Sequence, residues 1–256
     1  VIVNGIQKDL SDPIDQDSEV SIITIDSDEG LEIMRHTLTA QVLARAVKNL
    51  YPDTKLAIGP TIADGFYYDF EFKKAISPDD LASIEKEMKK IISNGSSITK
   101  TLYSKSDAIN IFKGLNESYK ESIISESEQD DNFQLYYQDN NEFVDLCRGP
   151  HLPSLKHIGA FRLTKLAGAY WKGDSKNKML TRIYGTAWKN EKELNAYLLR
   201  IEEAEKRDHR KLGKEMNLFH FQEEAPGMVF WHPNGWTIYR LLENFIRNKL
   251  EQYNYL

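Results

Sequence analysis

The sequence holds a single cysteine, Cys147, among its 256 residues. One thiol excludes an internal disulfide framework, and a reducing cytoplasm is the simplest compartment to expect. Long apolar runs are missing as well. None comes near the roughly 20 residues needed to cross a bilayer, and no secretory signal opens the chain, so no membrane partner is expected. An excess of positive charge is also lacking: 33 Lys and Arg stand against 39 Asp and Glu, for a net charge of −6. That argues against a uniformly basic nucleic-acid binder. It leaves room for a local basic patch, because steering depends on how charge is distributed.

What is present is ordinary globular composition, 41% hydrophobic and 28% charged, enough for one large domain or two smaller ones. The chain starts at Val1 rather than Met and ends at Tyr255-Leu256 within a helix-like pattern. It reads as an internal piece of a longer protein.

Val1-Ile-Val3 and Val20 to Ile25 suggest short strands, with Asn4-Gly5 supplying hairpin chemistry. Ser27 to Gly30 reads as a polar linker. From Leu31 to Leu50 the pattern turns helical: Leu38, Val42, Ala46 and Leu50 recur every four residues, and Pro52 closes the run. Phe66 to Phe72 alternates as a strand does. Ser77-Pro-Asp-Asp80 signals a helix start, with the helix reaching about Ile92. A strand (97–103), a helix (106–115) and two strands at Leu135-Tyr-Tyr137 and 142–146, joined through Asp139-Asn-Asn141, follow. Further strands are expected at Phe161–Leu166, Ala169–Trp171 and Leu180–Tyr184. One long helix is expected from Glu191 to about Met216, and a last one from about Trp236 to the end. Strands and helices mix without regular βαβ alternation, so the fold class is α+β.

The densest chemistry lies in Asp145-Leu-Cys-Arg-Gly-Pro-His151. A carboxylate, a thiol and an imidazole within seven residues can bind a metal, activate water or attack an ester; a buried Cys beside a turn and a surface His is the plain alternative. The strongest positive run is Lys206, Arg207, Arg210 and Lys211. It reads either as a solvated helix end with favourable dipole contacts or as a phosphate-binding site.

Several segments together, Ala57 to Asp69, Asp145 to His151, Lys165 to Asp174, Arg182 to Trp188, Lys206 to Lys211 and Gln222 to Trp231, resemble the editing region of bacterial threonyl-tRNA synthetases. The resemblance runs in order through nearly the whole chain. It implies four parts: residues 1–26 as the end of a small β-grasp module, 27–190 as an editing domain, 191–217 as a linker helix, and 218–256 as the start of a class II catalytic domain. It also implies hydrolysis of seryl-tRNA(Thr), the mischarged product that a site selecting for one extra methyl lets through.

On that likeness Asp145, Cys147, His151, Lys120 and His36 are the expected catalytic set. Tyr136, Thr37 and Gln41 are expected to line the substrate pocket, and Lys206, Arg207, Arg210 and Lys211 to meet the tRNA acceptor end. The family carries two histidines four residues apart on the first helix. Counting back from Tyr51-Pro52 places Thr37 and Gln41 there and leaves His36 one residue early, about 100° around the helix. His36 regains its place only if the helix starts late or bulges. Gln41 can hydrogen-bond but cannot act as a base near neutral pH. Four good zinc ligands are therefore not expected, and no metal or other cofactor is expected in this region. The full-length ligase is expected to use ATP, Mg²⁺ and Zn²⁺ and to form a homodimer. Two other readings are a hydrolase with Cys147 as nucleophile, which needs a thiolate that Asp145 would oppose, and a module that binds the acceptor end without hydrolysis.

Overall fold

The computed structural model describes residues 1–139 and 142–255, in two compact units, Val1–Leu194 and Asn195–Leu256. The first unit opens with β1 (Ile2–Val3), β2 (Ile6–Gln7) and β3 (Val20–Ser21), an antiparallel sheet in the order β2-β1-β3. Asn4 and Gly5 both take positive φ, 50° and 80°, the hairpin geometry that Asn-Gly favours. β3 ends at Ser21, short of the run to Ile25 that the β-branched residues suggested. Ser27 is not in a linker. Its hydroxyl accepts the Gly30 N–H at 3.1 Å and caps α1 (Asp28–Thr37). Gly30 is required by close approach, since a Cβ there would lie 1.9 Å from the Thr24 carbonyl oxygen.

The helical path does not end with α1 at Thr37. It passes through a π-helical stretch, Leu38–Leu43, into α2 (Ala44–Leu50), and all six π residues are buried. Two causes are local: the Thr37 and Thr39 hydroxyls donate back to the carbonyls of Ile33 and Arg35 at 2.8 and 2.7 Å. A third is tertiary. The Gln41 carbonyl accepts the Gln138 Nε2–H at 2.6 Å, which satisfies a carbonyl in the stretch where the regular ladder is interrupted.

The chain then forms β4 (Lys55–Leu56), β5 (Thr61–Ile62), β6 (Gly65–Glu71), α3 (Asp80–Asn94), β7 (Ile98–Tyr103), α4 (Lys105–Gly114), α5 (Ser118–Glu126), β8 (Phe133–Gln138), β9 (Phe143–Leu146), β10 (Ala160–Tyr170) and β11 (Met179–Trp188). One antiparallel sheet runs β10-β11-β6-β4 with β5 beside β6; a second runs β7-β8-β9. The main core joins Met34, Leu38, Val42 and Val47 to Phe66, Tyr68 and Phe70 of β6 and to Ile84 and Met88 of α3. A smaller one sets Phe133 and Leu135 of β8 against Ala108, Phe112 and Ile124. The α+β class stands.

Several boundaries differ from expectation for identifiable reasons. α3 begins at Asp80, not Ser77, because the Asp80 carboxylate accepts both the N–H and the hydroxyl of Ser77 and closes a turn ahead of the helix. β10 is one strand where two were expected; a bulge between Leu163 and Lys165 carries the pairing through. Nothing in the residue order marks α5 as a helix. Of the expected turn at 139–141, Asp139 takes φ 44°, while Asn140 and Asn141 lie outside the described residues.

α6 (Glu191–Lys206) stops where one long helix was expected, and α7 (His209–Glu215) restarts from Asp208, whose carboxylate caps it by accepting the Arg210 N–H at 2.8 Å. The second unit also contains the hairpin β12 (Phe219–His220) and β13 (Phe230–Trp231), then α8 (Pro233–Gln252), which starts earlier and ends sooner than the sequence suggested. No helix among the described residues is long and apolar enough to cross a membrane.

Candidate active site

A cavity of about 690 Å³ opens in the first unit, lined by His36, Ala40, Tyr68, Lys120, Asp145 and Cys147 among others. That is an ordinary volume for a small-molecule site. Alternation along β8 and β9 separates two faces of these strands. Phe133, Leu135 and Tyr137 belong to the smaller core, which turns Tyr136 and Asp145 to the other face. Pairing places Lys100, Tyr136 and Asp145 directly opposite one another across β7, β8 and β9. Arg45 braces the end of this hairpin, donating to Gln138, Asp139 and Glu142 at 3.1, 2.7 and 2.8 Å.

Asp145 and Lys120 form a buried ion pair at 2.7 Å, with side chains 1% and 4% exposed. The Asp145 carboxylate also accepts the Tyr68 hydroxyl at 3.0 Å and the Leu146 N–H at 2.8 Å. Burial pushes the Asp145 carboxyl above its ordinary value, against the pull of Lys120 and these two donors. Lys120 is held there through the residue ahead of α5. Glu117 accepts the Leu56 N–H at 2.7 Å and pairs with Lys48 at 2.8 Å, anchoring the start of the helix.

The π stretch settles the position of His36. Its Nε2 lies 2.7 Å from the Cys147 Sγ, and its ring stacks on His151 with centroids 4.7 Å apart and planes within 4°. The extra residue is absorbed as a bulge, so His36 reaches the cavity. Ala40 is the next turn's lining residue. Gln41 is buried and turned to Gln138, whose Nε2 also donates to its Oε1 at 2.8 Å. Thr37, fully buried, contacts His151 Nδ1 at 3.1 Å. Thr37 and Gln41 thus support the site from behind and do not line the cavity, as the sequence had suggested they would.

His151 also lies behind His36. Tyr136, expected from the sequence to line the pocket, is likewise not a lining residue and meets the His151 ring edge-on at 4.4 Å. The tautomer of His151 follows from counting protons. The Thr37 hydroxyl gives its one proton to the Ile33 carbonyl and accepts the Leu152 N–H at 3.0 Å, so at His151 it can only accept. His151 therefore carries its proton on Nδ1, and its buried Nε2 has no protein partner.

Burial holds all three groups neutral. It lowers His36 to about 4, and His151 well below the ordinary imidazole range, and it pushes the Cys147 thiol up to about 12. A consequence for stability follows. An unfolded His36 takes up its proton near pH 6.5, the folded one only near 4. Between those values the unfolded chain binds more protons, so stability present above pH 6.5 is lost as pH falls, by about 3 kcal/mol on reaching 4; His151 acts in the same direction. Urea midpoints at pH 7, 5.5 and 4 are expected to fall steadily. Level midpoints would contradict buried, neutral imidazoles.

His36, Cys147 and His151 bring ligand atoms within 4.8 Å of one another. That is three of the four donors a tetrahedral zinc site uses, one more than a displaced His36 would have left. In the second unit the expected acceptor-end residues are exposed. Lys206 pairs with Glu202 and Glu203, Arg207 with Glu203, and Arg210 with Asp208. Sequence reading missed Tyr68, although it stands in the quoted segment Ala57 to Asp69, and Asp9, for which no local signal exists.

Residues 134–184 match the family model of the threonyl and alanyl tRNA synthetase second additional domain. Similar curated proteins include the threonine–tRNA ligases of Prochlorococcus marinus (strain MIT 9211), 53% identical, and Hahella chejuensis (strain KCTC 2396), 52% identical, each over 253 residues. That of Legionella pneumophila (strain Paris) is 53% identical over the same length. Each alignment covers 99% of this chain and 39% of the relative, so the chain spans about two fifths of the length of these proteins. Along almost every residue it has, the chain is similar to one stretch of these threonine–tRNA ligases.

Proposed function

We propose that residues 27–190 hydrolyse seryl-tRNA(Thr). The observation that carries this reading is the convergence of His36, Cys147 and the Lys120–Asp145 pair on one cavity. Serine differs from threonine by one methyl, and a difference of that size gives a binding site only about 10–200-fold discrimination. A second site that excludes the larger side chain and hydrolyses the smaller ester supplies the rest.

In this proposal His36 and Lys120 hold the attacking water. As its oxygen bonds to the ester carbonyl, the imidazole takes the proton and later returns it to the departing ribose oxygen. The Lys120 ammonium offsets charge developing on the carbonyl oxygen. Asp145 receives the seryl amine on Oδ2, where Tyr68 occupies one acceptor position. Cys147 shapes the wall, and His151, Tyr136, Thr37 and Gln41 hold it from behind. Lys206, Arg207, Arg210 and Lys211 reach acceptor-end phosphates. No metal takes part. Threonine attachment with ATP, Mg²⁺ and Zn²⁺, together with the homodimer, belongs to the longer cytoplasmic protein.

A second reading is a module that binds the acceptor end without hydrolysis. Ala40 and Gln41 favour it, because neither gives the helix a second imidazole. Incubation with seryl-tRNA(Thr) and threonyl-tRNA(Thr), with EDTA present, separates the two. Serine release above buffer with threonine retained is expected. Binding without serine release would establish the second reading, and release that stops with EDTA and returns with zinc would assign the His-Cys-His group to a metal.

A further inference from the structure

We propose that Asp9, which follows the N-terminal β2 strand, is a positioning residue that fixes the loop presenting Cys147 and His151. The inference rests on the hydrolytic reading only for its effect on rate; the geometry stands apart from it.

Asp9 is 9% exposed, and both its oxygens are used. Oδ1 accepts the backbone N–H of His151 at 2.9 Å, across 142 residues of sequence. Oδ2 accepts the Tyr136 hydroxyl at 2.6 Å and pairs with the Lys100 ammonium at 3.0 Å. Asp9 is itself held, since Asp12 accepts its N–H at 3.0 Å and also pairs with Lys100. The loop lies flush on this arrangement. Gly149 has φ +63°, and a Cβ there would come within 1.9 Å of the Tyr136 hydroxyl and 3.3 Å of Asp9 Oδ2.

Each contact leads directly to the site. The His151 amide is one peptide from Pro150 and two from Gly149, whose own N–H points at the Cys147 sulfur at 3.5 Å. The Tyr136 ring abuts His151, which stacks on His36. A carboxylate that accepts from both a loop amide and the supporting phenol therefore sets the loop and its backing together. Charged acceptors in low dielectric make the strongest hydrogen bonds of this kind. Lys100 and Asp12 complete the group, which places the sheet of residues 1–21 in mechanical contact with the cavity wall.

Because Cys147 is the single cysteine, its alkylation by iodoacetamide reports the loop directly, whatever the enzymatic activity. In the full 256-residue chain, Asp9→Ala is expected to raise that rate about tenfold, and Asp9→Asn, which keeps an acceptor for the His151 amide, to return it to within about threefold of the parent. Val3→Ala, which weakens the same sheet at a buried position without touching the loop, controls for general loosening and is expected to leave the rate within twofold. In single-turnover deacylation of seryl-tRNA(Thr), Asp9→Ala is expected to lower the maximal rate at least tenfold, with half-saturation within twofold. An alkylation rate unchanged by Asp9→Ala, or raised equally by Val3→Ala, overturns the proposal. A parent chain that releases no serine defeats the hydrolytic reading and leaves the alkylation result to decide on Asp9.

Discussion

Replacing Lys120 by Met is expected to cost the first unit about 3–5 kcal/mol and to lower seryl-tRNA(Thr) deacylation at least 100-fold. The stability loss comes from what remains. Asp145 would keep the Tyr68 hydroxyl and the Leu146 amide but would stand as an uncompensated charge in a site where it is 1% exposed. Removing both charges separates the two effects. The double variant Lys120→Met/Asp145→Asn leaves no buried ion, so its urea midpoint is expected to recover most of the loss. Its deacylation is expected to stay low, because neither the ammonium proposed to face the carbonyl oxygen nor the carboxylate proposed to take the amine is restored. Activity that returns together with stability would show that the pair serves the fold alone.

The second large effect is expected at His36. His36→Ala removes the imidazole proposed to take the water proton, with an expected loss on the order of 10²–10⁴ in rate. Cys147→Ala is expected to stay within about tenfold of the parent. The difference follows from the charges that burial allows. With the thiol pushed up to about 12 and the imidazole down to about 4, the 2.7 Å contact joins a neutral thiol to a neutral imidazole at pH 7. A thiolate nucleophile needs the opposite arrangement, a lowered thiol beside a cation. Asp145, nearby in the same wall, raises the thiol further.

Much of this arrangement could be read from residue order, and the exceptions have a common cause. The four-residue spacing of Leu38, Val42, Ala46 and Leu50 marks the helix, and alternation through Phe133 to Leu146 marks the strands that carry Tyr136 and Asp145. The π stretch is another matter. It depends on two threonine hydroxyls and on Gln138, 97 positions from Gln41, so the family resemblance leaves His36 one residue early but does not say how the chain absorbs the difference. α5 has too few apolar residues in register to mark itself, and Lys120 owes its place to Glu117 binding Leu56 and Lys48. Asp208 caps α7 and divides a helix whose apolar stripe continues across the break. Asp9 sits in a polar stretch and meets its partners only in the fold. Local patterns report which face a residue takes; distant polar contacts decide where that face points.

Water, and not Cys147, as the attacking group is the claim on which the other roles depend. Single-turnover release of serine from seryl-tRNA(Thr) by the Cys147→Ala chain, beside the parent and His36→Ala, tests it most directly. The expected result is release by Cys147→Ala within about tenfold of the parent, with His36→Ala at least 100-fold slower. Abolished release in Cys147→Ala, with a seryl thioester trapped on Cys147 of the parent, would contradict it.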